Sequence, residues 1–213
     1  MTVRDSGLEV SSVTGLILAG GRASRMHNLD KGLQQLNGQS LVGHVIAKLK
    51  PQVACLAINA NRHLDDYARF GLPVWPDSKS RQNEESDFKG PLAGVETGLI
   101  HCTTSYLLIV PCDSPFLPLD LARRLMAAIR HADVAVACTG NPASPKLQPV
   151  FCLIKASMHA QLQQYLDSGG RKMDGWYGNA VVAKVHFSDD NAFTNINTLG
   201  ELQAIALATN SNK

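Results

Sequence analysis

Short, continuous apolar runs alternate with segments of helical spacing along the 213 residues. Residues 13–21 (VTGLILAGG), 53–58, 72–75, 106–110 (YLLIV), 132–138, 149–154 and 181–187 have the length and apolar continuity of buried strands. Between them, residues 40–49, 64–70, 91–100, 119–131, 156–166 and 198–207 repeat apolar side chains at helical intervals. Ser40 is placed to cap the first of these helices, whose Leu41, Val42, Val45, Ile46 and Leu49 share a face, and Pro51 stops it. Thr198 and Glu201 have capping-box spacing at the start of the last. Asn37-Gly38 reads as a tight turn. Strands that are apolar on both faces and separated by helices predict an α/β fold with a mostly parallel sheet, a single domain over residues 13–209. Residues 1–12 are expected to form a disordered extension, residues 78–89 a mobile polar surface loop, and residues 139–148 another loop.

Composition narrows the function. Apolar residues are 45% and charged residues 18%, as in a chain that folds unaided, and the net charge is +2. A balance this close to neutral gives no bulk attraction to nucleic acid or anionic membrane, so neither is an expected partner and any anionic ligand needs a local site. The cysteines (Cys55, Cys102, Cys112, Cys138, Cys152) are odd in number and contain no C-x-x-C pair. They read as reduced core residues of a cytoplasmic protein, forming neither a disulfide framework nor a metal centre. No run approaches the roughly 20 apolar residues of a membrane span.

In an open α/β sheet the ligand lies beyond the carboxyl ends of the strands. The first strand empties into Leu18-Ala19-Gly20-Gly21-Arg22-Ala23-Ser24-Arg25, followed by Asp30-Lys31. Two glycines allow backbone amides to approach a phosphate, and Arg22, Arg25 and Lys31 add positive charge, which together suit a polyphosphate. The spacing is neither that of the Walker A loop nor G-x-G-x-x-G, so P-loop hydrolases and ordinary dehydrogenases lose ground. Asp113, at the end of the most apolar strand, suits either Mg²⁺ beside substrate phosphates or an Asx turn. Asn59 and Asp77 stand at strand ends as partners for a nucleobase or ribose, or as simple turn residues. Cys112 has no histidine partner in its loop and reads as a core thiol. Trp75, Trp176 and Tyr177 suit packing more than stacking on a ligand, and Gly170-Arg171-Lys172 is a phosphate anchor or a solvated helix exit.

These residues resemble a known family. LAGG-RASRM with Asp30-Lys31-Gly32 and Leu36-Asn37-Gly38, then Asn59-Ala60-Asn61-Arg62, Asp77 ahead of Gly90-Pro91-Leu92-Ala93-Gly94, Pro111-Cys112-Asp113-Ser114-Pro115 and Asn195-Ile196-Asn197-Thr198 are similar to molybdenum cofactor guanylyltransferases. The opening motif marks the wider nucleotidyltransferase group, and the NANR and NINT segments narrow it. The resemblance implies a three-layer, Rossmann-like nucleotidyltransferase fold and transfer of GMP from GTP to the terminal phosphate of molybdopterin, with Mg²⁺ as cofactor. It implies that Leu18, Ala19, Gly20, Gly21 and Lys31 hold the nucleotide, that Asn59 and Asp77 hold guanine or ribose, and that Asp113 binds the metal. Arg25 and Lys31 would stabilise the departing pyrophosphate, while Gln148, Arg171, Asn195 and Asn197 would face molybdopterin. His27 stands where the family has Gly, and Gln148-Pro149 where His-Pro is common. Transient contact with proteins that deliver or accept the cofactor is also implied. A cytidylyltransferase on the same or another phosphorylated acceptor, and a non-catalytic nucleotide-binding regulator, remain the alternatives.

Overall fold

The computed structural model describes residues 10–20, 30–78 and 90–210. Its centre is a seven-stranded sheet in the order β5-β4-β1-β6-β8-β7-β9. The strands are β1 (Val13–Leu18), β4 (Cys55–Asn59), β5 (Val74–Trp75), β6 (Tyr106–Pro111), β7 (Val134–Thr139), β8 (Lys146–Lys155) and β9 (Val182–His186). A separate hairpin, β2 (Gln35–Leu36) and β3 (Gln39–Ser40), closes through Asn37-Gly38, both at positive φ as that turn requires. Neighbouring strands in the sheet are parallel except where β8 pairs antiparallel with both β6 and β7.

Helices cover both faces. On one lie α1 (Leu41–Leu49), α2 (Leu64–Ala68) and α4 (Leu121–Ala128), whose Val42, Val45, Leu49, Tyr67, Leu121 and Leu125 pack with Ile17, Leu108 and Val110. On the other lie α3 (Leu92–His101), α5 (His159–Asp167) and α6 (Met173–Tyr177), whose Leu92, Val95, Leu162 and Trp176 pack with Leu16, Leu107 and Ile109. Successive residues of β1 and β6 thus feed opposite cores, which is why those runs are continuous rather than alternating. A smaller cluster of Leu36, Leu41, Ile196 and Leu202 seats the last helix, α7 (Leu199–Asn210), against the hairpin.

The three-layer α/β expectation holds. Both predicted caps form: Ser40 Oγ accepts from Gly43 N at 3.2 Å, and Thr198 Oγ1 accepts from Glu201 N at 3.1 Å while Glu201 Oε2 accepts from Thr198 N. Several details differ from the sequence reading. β8 begins at Lys146, so residues 146–148 are strand rather than loop, because cross-strand bonds to β7 outweigh the polar composition of that stretch. α6 was not expected; it lies in the segment after the Gly169-Gly170 turn, where Met173, Trp176 and Tyr177 are buried. Cys55 is exposed and Cys102 half-buried, so only Cys112, Cys138 and Cys152 are core thiols. Of residues 1–12, Val10–Ser12 form a 3-10 turn leading into β1, and the others lie outside the described residues, as do 79–89 of the expected polar loop. Among the described residues no helix is long and apolar enough to cross a membrane.

Candidate active site

The carboxyl ends of four parallel strands form one row: Leu18 of β1 stands opposite Asn59 of β4 and Pro111 of β6, and Asn59 opposite Trp75 of β5. The ladder continues a step further, with Ala19 N donating to Asn59 O at 2.8 Å and Cys112 N to Leu18 O at 3.1 Å. This regular edge delivers Ala19, Gly20, Asn59, Asp77 and Asp113 to the same rim of the sheet.

One half of the rim is an amide–carboxylate cluster. Asn59 Nδ2 donates to Asp77 Oδ1 at 2.9 Å and to Trp75 O at 2.9 Å. Asn61 Nδ2 donates to Asp77 Oδ2 at 2.8 Å, and Asp77 N returns a bond to Asn61 Oδ1 at 2.8 Å. Both oxygens of Asp77 are therefore oriented by side-chain amides. Asn59 is buried, and two glycines make room for it: a Cβ on Gly94 at the start of α3 would collide with Asn59 Oδ1, and one on Gly20 would come 3.4 Å from the same atom.

The other half is cationic and assembled from distant segments. Lys31 Nζ lies 3.6 Å from Asp113 Oδ2 and donates to Asn197 Oδ1 at 2.9 Å. Ile196 N donates to Asp113 O at 2.8 Å, and Ser114 Oγ to Asn195 Oδ1 at 2.7 Å, so the 195–197 segment is stitched onto the end of β6. Glu201 Oε2 accepts from Asn197 N at 2.7 Å, which ties this segment to the first turn of α7. Burial pushes the Asp113 carboxyl above its ordinary value, with Lys31 and the backbone pulling it back. Burial pushes the neighbouring Cys112 thiol well above its usual value, with Asp113 and Asp30 adding to the rise; it is no thiolate nucleophile.

The family profile described as MobA-like NTP transferase domain matches residues 15–181. The chain belongs to this family. Molybdenum cofactor guanylyltransferase from Ralstonia nicotianae is 47% identical over 207 residues, covering 93% of this chain and 98% of that relative. The protein of the same name from Cupriavidus taiwanensis is 50% identical over 195 residues, covering 90% and 95%. Among solved structures, molybdopterin-guanine dinucleotide biosynthesis protein A from Archaeoglobus fulgidus superposes with a TM-score of 0.71 at 19% identity, over 94% of this chain and 100% of that one. A 4-diphosphocytidyl-2C-methyl-D-erythritol synthase from Anaerococcus prevotii gives 0.74 at 11% identity, over 95% and 100%. At those identities the likeness shows the fold alone.

In this MobA-like transferase the residues marked out by sequence fall into four groups. Leu18, Ala19, Gly20, Asn59, Asp77, Lys31 and Asp113 lie on the rim, with Asn195 and Asn197 bonded to its cationic half. Gln148 lies at the amino end of β8, where its Nε2 donates to Thr139 Oγ1 at 3.1 Å, and the Arg171 Nη1 turns back onto the Leu166 and Gly170 carbonyls at the exit of α5. Gly21 and Arg25, and the departure at His27, lie outside the described residues. Trp176 and Tyr177 are core residues, and Trp75 stacks on His101 with ring centroids 4.8 Å apart.

Asn61 and Ser114 were not given roles from sequence, although both stand inside recognisable motifs. For Asn61 a signal was available: it follows Asn59 by two residues, the spacing that keeps side chains on one side of an extended chain. Among the described residues no group of three His, Cys, Asp or Glu side chains could hold a metal. The lone, largely buried Asp113 carboxylate does fit Mg²⁺, which takes one or two protein carboxylates and completes its shell with water and substrate phosphates.

Proposed function

We propose that this transferase moves GMP from GTP to the terminal phosphate of molybdopterin. A phosphate oxygen of the acceptor attacks the α-phosphorus of GTP, the bond from that phosphorus to the β-phosphate bridging oxygen breaks, and pyrophosphate leaves with its electron pair. The attacking group is anionic near neutral pH, so the protein's task is positioning and charge neutralisation rather than proton abstraction. The observation that carries this reading is the pairing of Lys31 Nζ with Asp113 Oδ2 at 3.6 Å, on the same rim as the Asn59–Asp77 cluster, in a chain about half identical to named guanylyltransferases.

Lys31 would neutralise the phosphates of the nucleotide, with Arg25 and the Leu18–Gly21 amides as its partners in the loop. Asp77 would accept from the N1–H and N2–H₂ donors on guanine's edge, with Asn59 holding the carboxylate in place; cytosine offers a single amino donor there, which favours GTP over CTP. Asp113 would hold Mg²⁺, which when bound supplies charge neutralisation at the phosphates. Asn195, Asn197, Gln148 and Arg171 would line the way to molybdopterin. A reducing cytoplasmic setting, supported by five unpaired cysteines, and transient contact with proteins that deliver or accept the cofactor complete the proposal.

The test is conversion of α-labelled GTP and molybdopterin to the guanine dinucleotide and pyrophosphate. Asp113→Ala should abolish turnover with the fold intact, and Lys31→Ala should cut kcat/KM for GTP by roughly 10²–10³, the usual scale for losing one electrostatic contact. Undiminished rates in either variant would remove that residue from the mechanism, and labelled product from CTP in place of GTP would move the enzyme to the cytidylyl class.

A further inference from the structure

We infer that Tyr67, on the short helix α2, is the positioning residue that holds the Lys31 loop against the end of β6. The inference concerns how Lys31 is presented, and its kinetic part rests on the transfer reading above. Tyr67 is fully buried in the core beneath the rim, and its hydroxyl donates to Asp30 Oδ1 at 2.5 Å. The same oxygen accepts from Gly32 N at 3.0 Å, so a single carboxylate atom receives both the phenol hydroxyl and the backbone N–H that follows Lys31. The Asp30 side chain spans Lys31 in an Asx turn, which Gln34 reinforces by donating its Nε2 to Asp30 O and its N to Lys31 O.

The fit beneath the turn is close. A Cβ on Gly32 would come 2.5 Å from the Tyr67 hydroxyl and 3.2 Å from Cys112 Sγ, so the backbone beside Lys31 rests directly on the phenol and on the residue preceding Asp113. With the backbone fixed from below, the Lys31 side chain reaches across to Asp113 and Asn197. Burial together with the adjoining Cys112 and Asp30 groups pushes the Tyr67 phenol above its ordinary value, so it remains a proton donor at any working pH. Two buried hydrogen bonds to one anion are worth more than either alone, and loss of one leaves the carboxylate short of a partner.

Tyr67→Phe removes the hydroxyl and keeps the ring. In the full-length protein without ligand, amide exchange at Gly32 should accelerate about tenfold or more and the Lys31 side chain should gain mobility by NMR relaxation, while amides of β1 and β6 stay protected. Unchanged exchange at Gly32 would overturn the inference whether or not the protein turns over GTP. In turnover, kcat should fall about 10–100-fold, the scale of a sub-ångström to ångström misplacement, with a smaller rise in KM for GTP. In a Lys31→Ala background the same change should cost little more, because both act through one group; fully additive losses would refute the linkage. Asp30→Asn, which keeps the acceptor oxygen, should retain far more activity than Asp30→Ala, and equal losses would count against the turn as the route. A purely structural Tyr67 would lower the Tm while leaving kcat per folded molecule and the Lys31 cycle untouched. A wild-type protein that makes no guanine dinucleotide would fail the transfer reading, and the exchange measurement would still decide the role of Tyr67.

Discussion

Burial raises the proton affinity of Asp113 above that of the ordinary carboxylate at 3.8, with Lys31 opposing the rise. The folded protein then holds this proton more tightly than the unfolded chain. The group's contribution to stability is greatest below the ordinary value and is lost as pH climbs through the interval to the raised one. Asp113→Asn is neutral throughout, so its Tm relative to the parent should increase as pH goes from about 4 to 7, by about 2–4 °C for each kcal/mol of relieved desolvation. Turnover should vanish in the same variant. Thermal melts across that range check both the sign and the trend; a difference that stays flat or reverses would mean that Lys31 fully compensates the buried charge. Asp113 and Lys31 were legible in the sequence because a strand end and a Gly-rich loop with cations are local signals. The contact of Lys31 with Asn197 was not, because a hydrogen bond between residues 166 apart leaves no trace in spacing.

Helix α3 carries the tightest element-level constraint on the site. Its first turn lies against β1 and β4 so closely that Gly94 has no space for a methyl group beside Asn59 and Leu18, and Gly98 none beside Leu16 and Leu107. Gly94→Ala should therefore push the Asn59 amide off Asp77, raising KM for GTP about tenfold or more while costing about 1–3 kcal/mol of stability through overpacking. Gly98→Ala, one helical turn deeper, should cost similar stability and leave KM near the parent value. Denaturant melts with initial-rate kinetics separate the two, and matched KM values would show that the Asn59 displacement has no effect on the nucleotide. At this scale the alternation of strand and helix was readable because each period is set by local geometry. The direction of β8 was not: an apolar run reads the same whichever way it enters the sheet, and the hairpin with β7 that reverses it closes through residues 140–145, which contain two prolines and no Asn-Gly signature. The helix α6 was missed because five residues are too few for a period to declare itself.

Across the whole molecule, the proposed nucleotide site lies on the shared edge of strands that feed both cores, so a ligand there should stabilise the entire sheet rather than a loop. A ligand bound to the folded state alone adds about 2.7 kcal/mol at 100 times its Kd, which for a chain of this size is a Tm rise of roughly 5–10 °C. GTP with Mg²⁺ should give that shift, with CTP and ATP giving much less; equal shifts from all three would show that the base is not read. The same architecture has a consequence for how the protein is made. β1 forms its ladder with β6, some ninety residues further along, and the cationic rim closes only when residues 195–197 reach the end of β6. On the ribosome the first strand can pair with β4 early, but its second neighbour comes only with β6, and Lys31 meets Asn197 later still. A chain that has reached β9 but not residues 195–197 could bury much of its core and still lack one wall of the proposed phosphate site, so competence for chemistry follows the sheet rather than arriving with it.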